Sequence, residues 1–459
     1  MKIKFLGAAG TVTGSSYILT SGSGTSILID LGMFQGPAEI DKLNYLPYDY
    51  DISTLAGAIL THAHLDHCGR LPIIMSKGFK GSVYMTPPTR DLTELSLMDS
   101  AKIAKEDTLL AKGQSSSGRQ ILYTTTDVMN LVKQFVTVEY HKEIHIGDFI
   151  VTFYDAGHIL GSASLEIVDK SPDSDIRKII FSADIGNFPA YLEDPTEFIK
   201  SGDAVVIETT YGDRLHPDES PLEALQAEIN AVEVNGGTLL IPSFSLDRAQ
   251  ELLHMIMHFK KEGKVLNETP VILDSPMAEK ATKIYVDYPK YFNPHIEAEY
   301  KLGEMFDFPG LEVTKDWRQS QAIHARPEAK VIIAGAGMMT GGRIVGHAMY
   351  YLPMASTRLM IVGYQGEGSL GRELLDGKTE VVIKGVKTLV NSTVHDTQGL
   401  SSHADQAQLT EWLKSIKGAK KIILTHGDDH SRVGFKEKVE TELGINDVIM
   451  PKLGDEVIL

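Results

Sequence analysis

The sequence predicts an α/β protein of two nested domains, and three observations carry that prediction. Up to about residue 208, short strand-like runs alternate with glycine-rich turns, and several end in a histidine or an aspartate. Beyond it, strands alternate regularly with helices, the pattern of a parallel sheet with covered faces. From about Thr379 the chain returns to strands and offers further histidines, so its last part completes the first domain. The expected division is 1–208, an inserted domain 209–384, and 385–459.

Composition sets the outer bounds. At 459 residues the chain exceeds one typical domain, and 42% hydrophobic with 23% charged residues is ordinary for a globular protein. Cys68 is the single cysteine, which rules out an intramolecular disulfide framework and fits a reducing cytoplasm. No stretch approaches the roughly 20 apolar residues of a membrane span, and Met1-Lys2-Ile3-Lys4 opens no signal peptide. The expectation is a cytoplasmic protein with no membrane association. The formal net charge of −17 argues against general nucleic-acid binding, although binding depends on the local groove rather than the total.

The densest signal is Thr61-His62-Ala63-His64-Leu65-Asp66-His67, directly after the apolar run 55–60. Four metal-capable side chains at one strand end are rare by chance. His62 and His64, one residue apart, aim to one side, whereas Asp66 and His67 must reach elsewhere, so the loop suits two metal ions better than one. Imidazole and carboxylate without thiolate fit zinc in a hydrolytic site rather than a structural finger. Three later runs end in ligand-type residues: 151–157 leads to His158, 178–183 to Asp184, and 421–425 to His426.

Other segments organise the first domain. A helix is expected over Thr89 to Leu110, with Leu92, Leu95, Ser96, Asp99 and Ile103 at helical spacing, and another over Asp127 to Phe135. The polar segment 111–119 between them reads as a mobile loop. In the inserted domain, strands are expected at 237–242, 270–274, 331–335 and 358–363, with helices at 246–262 and 278–285.

With these motifs in place, the chain resembles the metallo-β-lactamase superfamily, whose signature is H-x-H-x-D-H with a later His, Asp and His. More narrowly it resembles the β-CASP branch of RNA-processing nucleases. The likeness extends through Leu28-Ile29-Asp30-Leu31-Gly32, Glu208-Thr209-Thr210-Tyr211-Gly212, Leu273-Asp274-Ser275-Pro276, Gly337-Met338 with Thr340-Gly341-Gly342-Arg343, Ser402-His403-Ala404-Asp405 and Thr425-His426-Gly427. It implies an αββα sandwich carrying an inserted β-CASP domain. It also implies a ribonuclease that threads single-stranded RNA between the domains and uses two zinc ions to activate water. Small-molecule hydrolysis of a lactam or thioester, or a DNA-directed nuclease, are the alternatives.

Residue by residue, the resemblance assigns His62, His64 and His158 to one zinc, Asp66, His67 and His426 to the other, and Asp184 to both. Asp66, Glu208 and His403 become catalytic residues, His403 donating the leaving-group proton and Glu208 orienting it, with His395 as rival acid. Asp30 is expected to support the ligand loop. Glycine-rich pieces at 335–343 and 366–372 are either phosphate cradles or tight turns. Ser243, Arg248, Ser275, Gly337, Thr340, Arg343 and Arg372 are the candidate substrate contacts. A homodimer is a further implication of the family.

Overall fold

The computed structural model describes residues 1–47, 50–111, 121–172, 176–303 and 305–459; most of the expected loop at 111–119 lies outside them. The chain folds as two units, one made of Met1–Leu215 with His403–Leu459 and the other of His216–Ser402.

The first unit holds two seven-stranded sheets. One is ordered Glu456–Ile458, Lys2–Phe5, Ser16–Thr20, Ser26–Leu31, Gly57–Ile59, Val83–Met85, Phe135–Thr137. The other runs Val448–Ile449, Lys421–Thr425, Ala204–Glu208, Lys178–Phe181, Ala163–Asp169, Phe149–Asp155, Ile144–Ile146. Alternation along the strands explains the layering. Ile3, Phe5, Leu19 and Ile29 of the first sheet pack in one buried cluster with Phe153, Leu165, Ile179 and Phe181 of the second. Side chains of opposite parity meet helices. Ile18, Leu28 and Ala58 join Leu97 and Leu131, and Ile180, Val205 and Ile422 join Leu409, Trp412 and Phe435. Helix, sheet, sheet and helix are thus four layers, the αββα sandwich expected from the resemblance.

The helix Pro87–Ala111 forms where expected, but its buried face is Leu92, Thr93, Ser96, Leu97 and Ala101, while Ile103 is 52% exposed. The second helix is shorter than expected, Thr125–Val132, because the chain turns to place Phe135–Thr137 at the sheet edge beside Val83–Met85. A capping box between Thr124 and Asp127 starts it.

The second unit is built on a six-stranded sheet ordered Leu311–Val313, Val271–Asp274, Lys330–Ala334, Thr238–Pro242, Thr357–Ile361, Thr393–Asp396, with every pairing parallel. A hairpin of Glu380–Ile383 and Val386–Leu389 accompanies it. Ile332, Leu359 and Ile361 pack with Ile344, Ala348 and Tyr351 of the helix Gly342–Tyr351 on one face.

The expected boundaries 209–384 shift to 216–402, and pairing explains both ends. Residues 209–215 stay with the first unit because Tyr211 bridges Asp405 in parallel, with Gln406 donating to the Gly212 carbonyl at 2.8 Å. Residues 385–402 stay with the second because Thr393–Asp396 adds to the sheet along Thr357–Ile361. Among the described residues, no helix is long and apolar enough to cross a membrane.

Candidate metal centre

The site grows from strand ends of the first unit. The strand Gly57–Ile59 leads to His62, and the short helix Leu65–Cys68 re-aims the chain so that Asp66 and His67 turn inward. Phe149–Asp155 leads to His158, Lys178–Phe181 to Asp184, and Lys421–Thr425 to His426. Three residues here hold left-handed backbone, Asp30 (φ 53°), Ala183 (φ 51°) and His426 (φ 48°). Each such non-glycine conformer costs on the order of 1–2 kcal/mol. Strain held at strand ends beside such a cluster is what a functional site sustains.

Close backbone approach fixes the loops. A Cβ on Gly32 would lie 1.5 Å from the Asp66 carbonyl oxygen, and one on Gly186 would lie 1.8 Å from the Gly157 carbonyl oxygen, next to His158. The buried Arg70 pins Gly32 by donating Nε to its carbonyl, and stacks 4.6 Å from the Phe34 ring centre.

Asp184 sits at the middle, and its two oxygens face different partners. Oδ2 lies 3.5 Å from His62 Nε2 and 3.6 Å from His158 Nε2; Oδ1 lies 3.2 Å from His67 Nε2 and 3.6 Å from His426 Nε2. His158 Nε2 is 3.1 Å from His64 Nδ1, and His426 Nε2 is 3.4 Å from Asp66 Oδ2. The donors therefore divide into His62, His64, His158 and Asp184 on one side, and Asp66, His67 and His426 on the other.

The cluster fits metal ions on its own chemistry. Nε2 of His62, Nε2 of His67 and both oxygens of Asp184 are buried without a hydrogen-bond partner, a costly state that a cation relieves. Imidazole and carboxylate donors suit zinc in a hydrolytic site. Cys68 does not join them: burial pushes its thiol up, and Sγ meets the Ala63 carbonyl at 3.4 Å.

Supporting hydrogen bonds settle which nitrogen faces the centre. Asp30 Oδ2 accepts from His67 Nδ1 at 2.7 Å and from Thr61 Oγ1 at 2.8 Å, while Oδ1 accepts from the Thr61 amide at 2.8 Å. His67 Nε2 is thereby left for the centre. Thr210 Oγ1, 3.0 Å from His426 Nδ1, does the same for His426.

Electrostatics agree with ligand duty. Burial, with the neighbouring imidazoles, pushes His62 well below its usual value and keeps it neutral. Burial opposes charge on His67 too, but Asp184 and Asp30 outweigh it and hold a proton there until a cation replaces it. Burial opposes charge on Asp66, but the hydrogen bond from His426 and the neighbouring His67 and His426 draw it down to about 2.

Beside the cluster stands a second arrangement. His403 is held by a backbone bridge to Gly186, two residues after Asp184. Its Nδ1 is 3.2 Å from Glu208 Oε1, which also accepts from the Ile185 amide at 2.7 Å. Burial lowers the affinity of His403 for a proton, but Glu208 and, less strongly, Asp184 and Asp66 reverse that and push it up to about 9. Donor atoms of Asp184, Glu208 and His403 all lie within 4.8 Å of one another. His395 belongs instead to the second unit's sheet, 3.0 Å from Glu228 and 3.2 Å from Glu219.

The candidate substrate contacts fall in the second unit. Ser243, Ser275 and Gly337 follow the carboxyl ends of parallel strands, the edge where open α/β sheets bind ligands. Ser275 caps the helix Pro276–Asp287, and its Oγ is 3.1 Å from Ser245 Oγ. Ser243 is buried, its hydroxyl donating to the Phe244 carbonyl at 2.9 Å. A Cβ on Gly337 would strike the Phe244 ring at 2.5 Å, whereas Thr340 is exposed.

The arginines are more engaged than their sequence positions suggest. Arg248 is buried against Glu251 and donates to Ser402 Oγ at 2.8 Å. Arg343 pairs with buried Asp274 and donates to Thr314 Oγ1 at 2.7 Å. Arg372 stands at the surface, 3.0 Å from Asp376.

A four-layer sandwich with a His/Asp cluster at its strand ends defines a metallo-hydrolase of the metallo-β-lactamase class. Sequence comparisons carry this further. The Metallo-beta-lactamase superfamily profile matches residues 9–171, the Beta-Casp domain 249–374, and the Zn-dependent metallo-hydrolase RNA specificity domain 389–451. The chain is 34% identical over 432 residues to Ribonuclease TTHA0252 of Thermus thermophilus, covering 94% of each. It is 30% identical to an RNase J-like protein of Methanocaldococcus jannaschii, over 93% of this chain and 94% of that one. Transcription termination factor FttA of the same organism is 31% identical over 96% of this chain and 69% of its own. A protein of unknown function from Enterococcus faecalis V583 shares the fold at TM-score 0.55 and 12% identity, covering 100% of this chain and 99% of its own. The chain belongs to the β-CASP ribonucleases, metal-dependent hydrolases that act on RNA.

Proposed function

We propose that this protein is a two-zinc ribonuclease that hydrolyses phosphodiester bonds of single-stranded RNA, with His403 as general acid. The division of donors about Asp184, two imidazoles facing each of its oxygens, is the observation that carries this reading. Two bound zinc ions supply a water nucleophile at neutral pH and neutralise charge on the scissile phosphate.

The chain's own residues do the rest. Asp184 reaches both halves of the centre, and Asp66 with His67 and His426 completes one of them. Asp30 and Thr210 hold His67 and His426 in the tautomer that turns Nε2 to the centre. Glu208 keeps His403 protonated through Nδ1, leaving Nε2 to give its proton to the departing oxygen. Ser275, Gly337, Thr340 and Arg372 are the second unit's contribution to phosphate binding; Arg248 and Arg343, already paired, act by fixing Ser402 and Asp274. A cytoplasmic setting agrees with the single, buried cysteine.

The test uses 5′-labelled single-stranded RNA and a DNA of the same sequence, with zinc-loaded wild type, His403→Ala and a chelated control. RNA cleavage by wild type, lost in both controls, is expected, and the product ladder separates internal from terminal cutting. Intact RNA beside cut DNA would sink the proposal. Size-exclusion of the same preparation reads whether the chain forms a homodimer.

A further inference from the structure

The second unit carries another converging set of donors. The helix Arg248–Lys261 presents His254 and His258, and the helix Pro294–Lys301 presents His295 and Glu299. Both pairs are spaced i,i+4, so each lies along one face of its helix. Glu299 Oε2 is 3.1 Å from His254 Nε2 and 2.9 Å from His258 Nε2, while Oε1 is 3.2 Å from His295 Nε2. The His254 and His258 rings sit 4.6 Å apart between centres.

We propose that His254, His258 and Glu299 bind a further divalent transition-metal ion, zinc by its donor set, that ties these two helices together within the second unit. Three donor atoms from these residues lie within 4.8 Å of one another. Zinc bonds of about 2.0–2.1 Å in tetrahedral geometry place neighbouring donors roughly 3.3 Å apart, close to the spacings here.

Burial fits the role. The His254 side chain is 1% exposed, Glu299 13% and His258 25%, so the site is dry on its inner side and reachable from solvent on the other. His295 Nε2, on the far oxygen, orients Glu299 in the manner of an outer partner. None of these residues belongs to the cluster around Asp184.

Metal content of the full-length chain, reconstituted with zinc and dialysed, tests the inference by elemental analysis. His258→Ala and Glu299→Gln are each expected to hold one zinc equivalent fewer than wild type, with RNA cleavage retained. Equal zinc content in folded variants and wild type would overturn it. Calorimetric zinc titrations of Asp184→Asn and of Asp184→Asn combined with His258→Ala separate this site from the catalytic centre: the double variant is expected to bind one equivalent fewer, and equal uptake by the two folded chains would overturn the inference as well. Because activity and this third equivalent are read separately, failure here leaves the ribonuclease proposal standing.

Discussion

His403 Nδ1 lies 3.2 Å from Glu208 Oε1, and the same carboxylate accepts from the Ile185 and Thr210 amides, at 2.7 and 3.2 Å. Glu208 is thus locked by the backbone on either side of it, and its orientation does not depend on the histidine. Such a carboxylate can set both the tautomer and the charge of its partner.

Glu208→Gln therefore moves a pH profile as well as lowering a rate. A general acid works while protonated, so activity is expected to fall as pH rises through the value of His403, which stands at about 9 with Glu208 present and lower once cations are bound beside it. Without the Glu208 charge, only the weaker pull of Asp184 and Asp66 opposes burial, and the alkaline limb of kcat/KM moves to lower pH. Loss of activity with an unmoved limb would show that Glu208 acts otherwise.

Asp30→Asn tests the support beneath His67. Removing the charged acceptor at 2.7 Å loosens the tautomer that faces Nε2 to the centre. Metal affinity is expected to fall by about 10–100-fold, the range for loss of an outer partner. Competition against a chelator of known strength measures it.

Zinc uptake is expected to release protons. In the metal-free molecule Asp184 and Asp30 hold His67 protonated against burial, and a cation must displace that proton. Apparent affinity should accordingly rise with pH across the neutral range. Calorimetry in buffers of different ionisation enthalpy reads the proton count directly; zero would refute the assignment of His67 as a charged residue awaiting metal.

Gly32→Ala probes the close approach to Asp66. The added methyl meets a carbonyl oxygen at 1.5 Å, so backbone must move. Overpacking of this kind costs about 1–3 kcal/mol. The expected outcome is a lower melting temperature together with weaker metal retention; a variant with wild-type values for both would show that the loop yields freely.

Phe153→Ala opens a cavity between the two sheets of the first unit, where this ring is fully buried. A loss of roughly 3–5 kcal/mol is expected by chemical denaturation.

Much of the centre was legible because its ligands are local. His62 to His67 occupy six positions, and His158, Asp184 and His426 each follow a strand-like apolar run, the recurrence carrying the signal. The insertion was legible from the change of rhythm near residue 209, though its far boundary was not. That boundary depends on Thr393–Asp396 adding to a sheet begun some 150 residues earlier, and pairing over such a distance leaves no trace in local pattern. Ile103 was assigned to the wrong face because helical spacing alone does not say which stripe the sheet will cover. Arg248 and Arg343 looked available because Glu251 lies one turn away and Asp274 far away, and sequence does not reveal whether such partners are met. His254 and His258 did carry a signal, an i,i+4 pair, but Glu299 lies 41 residues beyond His258 and only the fold brings it back.

The strand Lys421–Thr425 lies between Ala204–Glu208 and Val448–Ile449, with the whole second unit encoded before it. A ribosome must therefore finish that unit before it delivers His426, and a nascent chain carries only part of the ligand set throughout that time. The cluster around Asp184 is therefore assembled only after the second unit has been made.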